Sequence, residues 1–156
     1  MTLTEQTIDS LKLNITKQIY VRAPIEKTFA AVLEQMGPYN EKPDGVPMPM
    51  KLEAWPGGRW YRDLGGDDGH FWGHVQAIKR PELLEISGPL FASYPLVSNV
   101  QYRLKAADGG TLISFRHTAL GSIDEQHREG VDMGWTSMLS LIRERAEEAK
   151  ENRNGQ

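Results

Sequence analysis

Histidine, carboxylate and tyrosine side chains are the groups in this sequence that could carry acid–base chemistry. The candidates are Glu53, Asp63, His74, Tyr102 and His117. His117 stands out because it shares the apolar side of a predicted strand with Ile113 and Phe115. A histidine there acts as a general base, fixes the polar end of a bound molecule, or is a hydrogen-bonded core residue. We favour the core residue, and no catalytic residue is assigned.

A metal site is not expected. His70 and His74 are four residues apart, but on one face of a predicted strand that spacing separates them by about 13 Å, too far for a single ion. His117 and His127 supply no third ligand. The chain has no cysteine, which excludes disulfides, thiol catalysis and thiolate-bound metals. No phosphate-binding glycine motif occurs either, so no cofactor is expected.

A strand and a helix are predicted near the start of the chain. Apolar and polar residues alternate from 13 to 21, which is the period of a half-buried strand. Apolar residues recur at helical spacing over 25–36, after Pro24, which suits the beginning of a helix. Gly37-Pro38 ends this helix, and residues 39–49 form an irregular connection.

Short strands with turn signals between them follow. They are predicted at residues 51–55, 59–63, 70–78, 83–87, 97–105 and 111–118. Because the links between them are short, we expect a mostly antiparallel meander.

The last part of the chain is predicted to be helical. Ser122 and Glu125 have the spacing of a capping box, and a break is expected near Gly130. One apolar stripe follows, formed by Val131, Trp135, Met138, Leu139, Ile142, Ala146 and Ala149. The sheet must bury an apolar face, so this stripe packs against it. The predicted fold is therefore α+β, with a flexible arm at 1–11, a single domain at 12–151 and a tail at 152–156.

Several sequence segments, taken in order, resemble one known superfamily. They are residues 19–29, Gly57-Gly58-Arg59-Trp60, residues 71–75, residues 80–84 and residues 134–139. The chain resembles the SRPBCC or START-like superfamily, which has the helix-grip fold of the birch-pollen allergen. Within it, the nearest resemblance is to the branch named after the heat-shock-protein-90 ATPase activator. The resemblance implies six or seven curved antiparallel strands around a long C-terminal helix, with one or two short helices after the first strand.

The resemblance also implies a cavity between the sheet and the last helix. Relatives hold lipids, sterols, polyketides or other apolar molecules there, some are cyclases or hydrolases, and others bind proteins. The eukaryotic activator has a separate N-terminal domain that engages the chaperone. This sequence has no room for such a domain, which argues against a co-chaperone role.

Aromatic residues are the best sequence evidence for a pocket, because they can line an apolar cavity and offer a polar edge. The predicted lining residues are Trp60, Phe71, Tyr102, Phe115, His117, Trp135 and Met138. The alternative is that they simply fill the core. Gly73 and Gly134 each cost a strand or helix up to about 1 kcal/mol relative to alanine. A gap or a close backbone approach would explain both, and sheet curvature would also explain Gly73.

Composition excludes several function classes. Apolar residues make up 39% and charged residues 25% of the 156 residues, as in a globular domain. The net charge is -3, and the 18 basic and 21 acidic residues are mixed, so no nucleic-acid surface is expected. The N-terminus lacks the apolar core of a signal peptide, and no apolar run is long enough to span a bilayer. The expected location is the cytoplasm.

Three functions fit these observations. The first is binding of a small, largely apolar molecule in a cavity between the sheet and the helix. The second is an enzyme of the cyclase, dehydratase or hydrolase type, which needs a polar group such as His117 inside that cavity. The third is a protein-interaction module, including a homodimer, which needs an exposed apolar patch. We favour the first.

Overall fold

The computed structural model describes residues 7–90 and 94–154, with the backbone alone for residues 149–154. Its helices and strands follow the sequence patterns. In chain order they are a 3-10 turn (Ile8–Leu11), β1 (Lys12–Val21), α1 (Ile25–Gln35), β2 (Lys51–Leu52), β3 (Arg59–Gly65), β4 (Asp68–Lys79), β5 (Leu83–Gly88), β6 (Leu96–Ala107), β7 (Gly110–Gly121) and α2 (Glu125–Asn154).

The seven strands form one antiparallel sheet in the order β1-β7-β6-β5-β4-β3-β2. The first and last strands pair along their whole length, from Lys12 opposite Leu120 to Val21 opposite Thr111. The chain therefore crosses from β1 to the far edge of the sheet and returns as a meander. That crossing consists of α1 and the segment at residues 36–50. The predicted helix-grip fold is confirmed.

The core lies between the sheet and the two helices. Along β7, Ile113, Phe115 and His117 are buried while Arg116 between them is exposed, as expected for a strand with one covered face. α2 contributes the predicted stripe as far as Ala146, and its Ile142 is completely buried. The side chain of Ala149 lies outside the described residues. Burying one side chain of this size stabilises the fold by about 1.5–3 kcal/mol.

The beginning of α2 differs from the prediction. The helix starts at Glu125, so Asp124 is its N-cap and not Ser122. Asp124 Oδ1 accepts a hydrogen bond from the His127 backbone N–H at 2.7 Å, which satisfies a free donor of the first turn. The predicted break near Gly130 is also wrong, because α2 continues unbroken through that position.

One strand boundary also differs. β2 ends at Leu52 and not at residue 55, and the Glu53 side chain accepts a hydrogen bond from the Arg59 backbone N–H at 2.8 Å. Arg128 of α2 donates to the carbonyls of Ser10 and Lys12 at 2.7 and 2.6 Å. α2 ends at Asn154. The rest of the arm, residues 1–6, and the last two residues of the predicted tail lie outside the described residues.

Candidate functional site

The aromatic residues of the sheet and α2 pack against each other. Ring centroids of Tyr102 and Phe115 lie 5.0 Å apart, and those of Phe115 and Trp135 lie 4.7 Å apart. Trp60 packs edge-on against Trp72 at 5.1 Å. All of these rings are buried. They fill the centre of the space between the sheet and the helix.

Phe71 does not face this space. Its side chain is 46% exposed and packs against His74 on the outer face of the sheet. The prediction of an inward Phe71 is wrong because β4 carries a bulge: Trp60 pairs with Gly73, whereas Tyr61 pairs with Phe71. The extra residue is Trp72, which takes the inward place and shifts the alternation by one.

His117 is a fully bonded core histidine. The Trp135 indole N–H donates to His117 Nδ1 at 2.9 Å, and His117 Nε2 lies 3.0 Å from Ser98 Oγ. Since Nδ1 accepts, Nε2 carries the proton and donates to Ser98. Burial, with a smaller effect of nearby His127, lowers the pKa of His117 to about 4. The ring is therefore neutral at pH 7, with its only lone pair already occupied.

The two carboxylate candidates are engaged on the surface. Glu53 binds Arg59 through two oxygens at 2.8 and 2.9 Å, and this hydrogen bonding lowers the pKa of Glu53 to about 2. Asp63 accepts from the Gly65 backbone N–H at 2.8 Å and from Lys51 at 3.1 Å, and both bonds lower its pKa. Neither carboxylate has the raised pKa of a general acid.

Tyr102 and the histidine pair are likewise not arranged for catalysis or metal binding. The Tyr102 hydroxyl donates to Met36 Sδ at 3.3 Å, and burial raises the pKa of this tyrosine. His70 and His74 are exposed, and His74 Nδ1 lies 3.0 Å from the Gly57 carbonyl. Within residues 7–90 and 94–148, no group of three or more His, Asp or Glu side chains could hold a metal ion.

An apolar cleft lies beside this packed centre, between the segment at residues 40–50 and the first half of α2. Its volume is about 280 Å³. The apolar lining consists of Pro43, Met48, Met50, Val131, Trp135, Met138 and Leu141. The polar residues Asn40, Glu41, Lys42, His127 and Ser137 also border the cleft. Of the seven predicted lining residues, only Trp135 and Met138 border it. His117 instead borders a void of about 10 Å³ beneath the N-terminal turn of α2, where there is room for at most one water molecule.

Two glycines of α2, Gly130 and Gly134, form part of the cleft wall. A Cβ atom built on either residue would have no heavy atom within 4 Å. Close packing therefore does not require them, although each costs the helix about 1 kcal/mol relative to alanine. No close backbone approach explains Gly134, which is exposed where it borders the cleft. Gly73 has the other explanation, a close approach, since its Cβ would lie 2.7 Å from the Ser87 carbonyl oxygen.

The segment opposite α2 is held in place by the end of α1. The Met36 carbonyl accepts a hydrogen bond from the Trp60 indole at 2.7 Å, and its sulfur accepts from Tyr102. The next carbonyl, that of Gly37, accepts from the Met50 backbone N–H at 3.0 Å. The aromatic core thus fixes both ends of the segment that covers the cleft.

Asn40 closes this segment into a loop. Its backbone carbonyl accepts from the Met48 N–H at 2.9 Å, and its Nδ2 donates to the Met48 carbonyl at 3.1 Å. Asn40 is buried and borders the cleft. The irregular connection predicted at residues 39–49 gives no sign of this wall. The sequence feature that could have indicated the cleft is the pair Gly130 and Gly134 in α2, which close packing does not require.

Comparison with known proteins agrees with the fold. Residues 22–147 match the family model described as Activator of Hsp90 ATPase homolog 1-like protein, which confirms the resemblance in the sequence motifs. None of the curated proteins matches the chain significantly. Among the described residues, no helix has the length and apolar character needed to cross a membrane.

Solved structures share the architecture at low sequence identity. The di-domain ARO/CYC StfQ from the steffimycin biosynthetic pathway superposes with a TM-score of 0.67 and 12% identity, over 92% of this chain and 53% of that one. Ara h 8.0201 gives a TM-score of 0.63 and 15% identity, over 86% and 97%. Protein BH1534 of Bacillus halodurans gives 0.63 and 21%, over 87% and 99%. At such identities the likeness shows the fold alone.

Proposed function

The chain belongs to the Activator of Hsp90 ATPase homolog 1-like family, and on that premise we propose that its cleft binds one small, largely apolar molecule. The observation that carries this proposal is the open apolar wall made by α2. Gly130 and Gly134 leave space beside Val131, Trp135 and Met138 that any larger side chain would fill. Glycines lower the stability of a helix, so two of them beside an open apolar space are expected where that space binds a ligand.

The size of the cleft limits the ligand. Its volume of about 280 Å³ is at the lower end of ligand pockets, which hold about 300–1,000 Å³. An apolar cavity of about 150 Å³ is known to hold benzene. The proposed ligand is therefore a compact molecule with one or two rings, or an aliphatic molecule of similar bulk.

Binding is favoured over catalysis by the acid–base candidates that the sequence singles out. None of the candidates singled out from the sequence lies in the cleft: the two carboxylates are on the surface, and Tyr102 and His117 are bonded inside the core. A cyclase-like activity, as the name of StfQ suggests for that protein, would need a reactive side chain beside the ligand. His127, Glu41 and Ser137 border the cleft and are the groups that such an activity would have to use. A domain at residues 12–151 and a cytoplasmic location stay parts of the proposal.

The test is a substitution that fills the cleft and raises the helix propensity of α2. The variant is Gly134→Leu, and the matched control is Thr136→Leu, at an exposed position of the same helix. The probe is N-phenyl-1-naphthylamine, an uncharged dye whose fluorescence rises in apolar surroundings. Wild-type protein and Thr136→Leu are expected to bind it saturably, and Gly134→Leu at least about tenfold more weakly.

The thermal midpoint of unfolding shows whether a variant that has lost binding is still folded. Leucine is a better helix former than glycine by roughly 1 kcal/mol, so Gly134→Leu should melt at or above the wild-type temperature. Lost binding in a fully folded variant supports the cleft as the site. Absence of saturable binding to the wild type, or equal binding by Gly134→Leu, would overturn the proposal.

A further inference from the structure

Arg145 joins α2 to the start of the segment that covers the cleft. It lies one helical turn beyond Leu141, the last residue of α2 that borders the cleft, so the two share one side of the helix. The guanidinium carbon of Arg145 lies over the Tyr39 ring, 4.4 Å from its centroid. Tyr39 directly precedes Asn40, where the cleft wall begins. The contact between Arg145 and Tyr39 therefore lies at one end of the cleft.

The guanidinium group also binds the end of α1. Its Nε donates to Gln35 Oε1 at 2.7 Å, and its Nη1 donates to Glu34 Oε2 at 3.2 Å. Gln35 is 2% exposed, and its Nε2 donates to the Tyr39 carbonyl at 3.4 Å. A guanidinium only donates, so Gln35 must present its oxygen to Arg145 and its nitrogen to Tyr39. Arg145 thus holds the ring of Tyr39 directly and its backbone through Gln35.

The loop beyond Tyr39 has no comparable polar contact with α2. Within the described residues, the hydrogen bonds of residues 41–48 all stay inside residues 40–48, from Lys42 to Val46 and from Met48 to Asn40, for example. No ion pair among the described residues involves this loop. The distance between the loop and the facing helix therefore depends on how Tyr39 is held.

The shape of arginine suits it to this role better than its charge does. The ion pair with Glu34 is partly exposed, so by itself it adds little to stability. A planar guanidinium can stack on an aromatic ring and donate hydrogen bonds in fixed directions at the same time, and the ammonium group of lysine cannot. Lysine at position 145 would keep the charge and lose the geometry.

We infer that Arg145 is a positioning residue that sets the width of the cleft, and with it the size of the ligand. The inference about ligand size rests on the proposed function, whereas the width is a property of the folded chain alone. Packing attraction falls steeply when a gap opens between a wall and a ligand. A wider cleft should therefore lose affinity for a small ligand and keep it for a larger one that still touches both walls.

The first experiment compares two probes that differ by one ring, N-phenyl-1-naphthylamine and 1-naphthylamine. Their dissociation constants are measured by equilibrium dialysis, and the readout is the ratio of the two within each protein. Arg145→Lys and Tyr39→Leu should shift this ratio towards the larger probe by about threefold or more. Tyr39→Phe keeps the aromatic face under the guanidinium and should retain the wild-type ratio.

Arg128→Lys is the matched control. Arg128 also joins α2 to another part of the chain, through the Ser10 and Lys12 carbonyls, but it does not border the cleft. This variant should weaken the attachment of the helix and leave the ratio unchanged. A changed ratio in Arg128→Lys or Tyr39→Phe, or an unchanged ratio in Arg145→Lys or Tyr39→Leu, would overturn the inference. Should Arg145→Lys not fold, Tyr39→Leu still decides, since Tyr39 is 56% exposed.

The second experiment measures the width without a ligand. The chain has no cysteine, so spin labels can be attached at Val46→Cys on the loop and Met133→Cys on α2, which are exposed positions. Pulsed electron paramagnetic resonance gives the distribution of distances between the labels. Arg145→Lys should broaden or lengthen this distribution, and Arg128→Lys should not. If the wild type binds neither probe, the proposed function fails, and the label distances still test the width. An unchanged distribution in Arg145→Lys would overturn the inference whether or not the probes bind.

Discussion

The indole N–H of Trp135 donates a hydrogen bond to Nδ1 of His117 over 2.9 Å. This bond joins the middle of α2 to β7, and it determines which ring nitrogen of the histidine carries the proton. Trp135 also borders the cleft on another side. Trp135 therefore anchors α2 on the sheet and also forms part of the proposed binding surface. His117, to which it is bonded, stays neutral.

The buried neutral histidine makes stability depend on pH. The pKa of His117 is lowered from 6.5 to about 4 in the folded protein, so between these values the unfolded state binds more protons on this group. The free energy of unfolding should fall as the pH is lowered from 6.5 towards 4, by on the order of 3 kcal/mol from this residue. Above pH 6.5 its contribution should be constant.

Urea unfolding at several pH values measures this effect. The non-titrating variant His117→Asn, which still offers Trp135 an acceptor, should have a shallower dependence between pH 6.5 and 4. The exposed His74→Asn should keep the wild-type dependence. Identical pH profiles for wild type and His117→Asn would contradict the lowered pKa.

The packing of α2 on the sheet can be tested with one charge. Ile142→Asp places an unpaired carboxylate where the side chain is completely buried, and it should lower the free energy of unfolding by several kcal/mol, roughly 3 or more. Met133→Asp puts the same charge on a residue of α2 that is 71% exposed, so it should have little effect. Denaturant resistance like that of the wild type in Ile142→Asp would mean that the stripe is not buried.

The structure and the sequence prediction differ in the N-cap residue of α2. Asp124→Ala removes the acceptor for the His127 backbone N–H and a partner of the Tyr94 hydroxyl at 3.1 Å. It should cost about 1 kcal/mol, as for other N-caps. Ser122→Ala, at the predicted cap, should leave the thermal midpoint unchanged. The reverse pattern would show that the helix begins earlier.

Substitution of Phe115 tests whether the centre of the fold is fully packed. Its ring packs between Tyr102 and Trp135, so Phe115→Ala should cost about 3–5 kcal/mol of stability. At low temperature, where the variant stays folded, it should still bind the dye, because Phe115 does not border the cleft. A small loss of stability together with lost binding would instead place the ligand in the centre.

Local patterns in the sequence determined most of the elements. The alternation in β1 and the apolar stripe of α2 are properties of adjacent residues, and they require a sheet and a helix whatever lies elsewhere in the chain. The resemblance to the family has a different basis, namely short motifs that occur in order along β1, α1, β3, β4, β5 and α2. No comparable pattern indicates where a strand gains an extra residue, and simple alternation therefore predicts an inward Phe71.

Tertiary structure alone decided where the open space lies. Residues 40–50 have no periodicity. Their path over α2 depends on bonds from distant residues, namely Trp60 and Tyr102 to Met36 and the pairing of Asn40 with Met48. The same holds for His117: its strand position could be predicted from alternation, but its protonation depends on Trp135 and Ser98, which only folding brings within 3.0 Å. A cavity is the volume that packing leaves unfilled, and that depends on every neighbour at once.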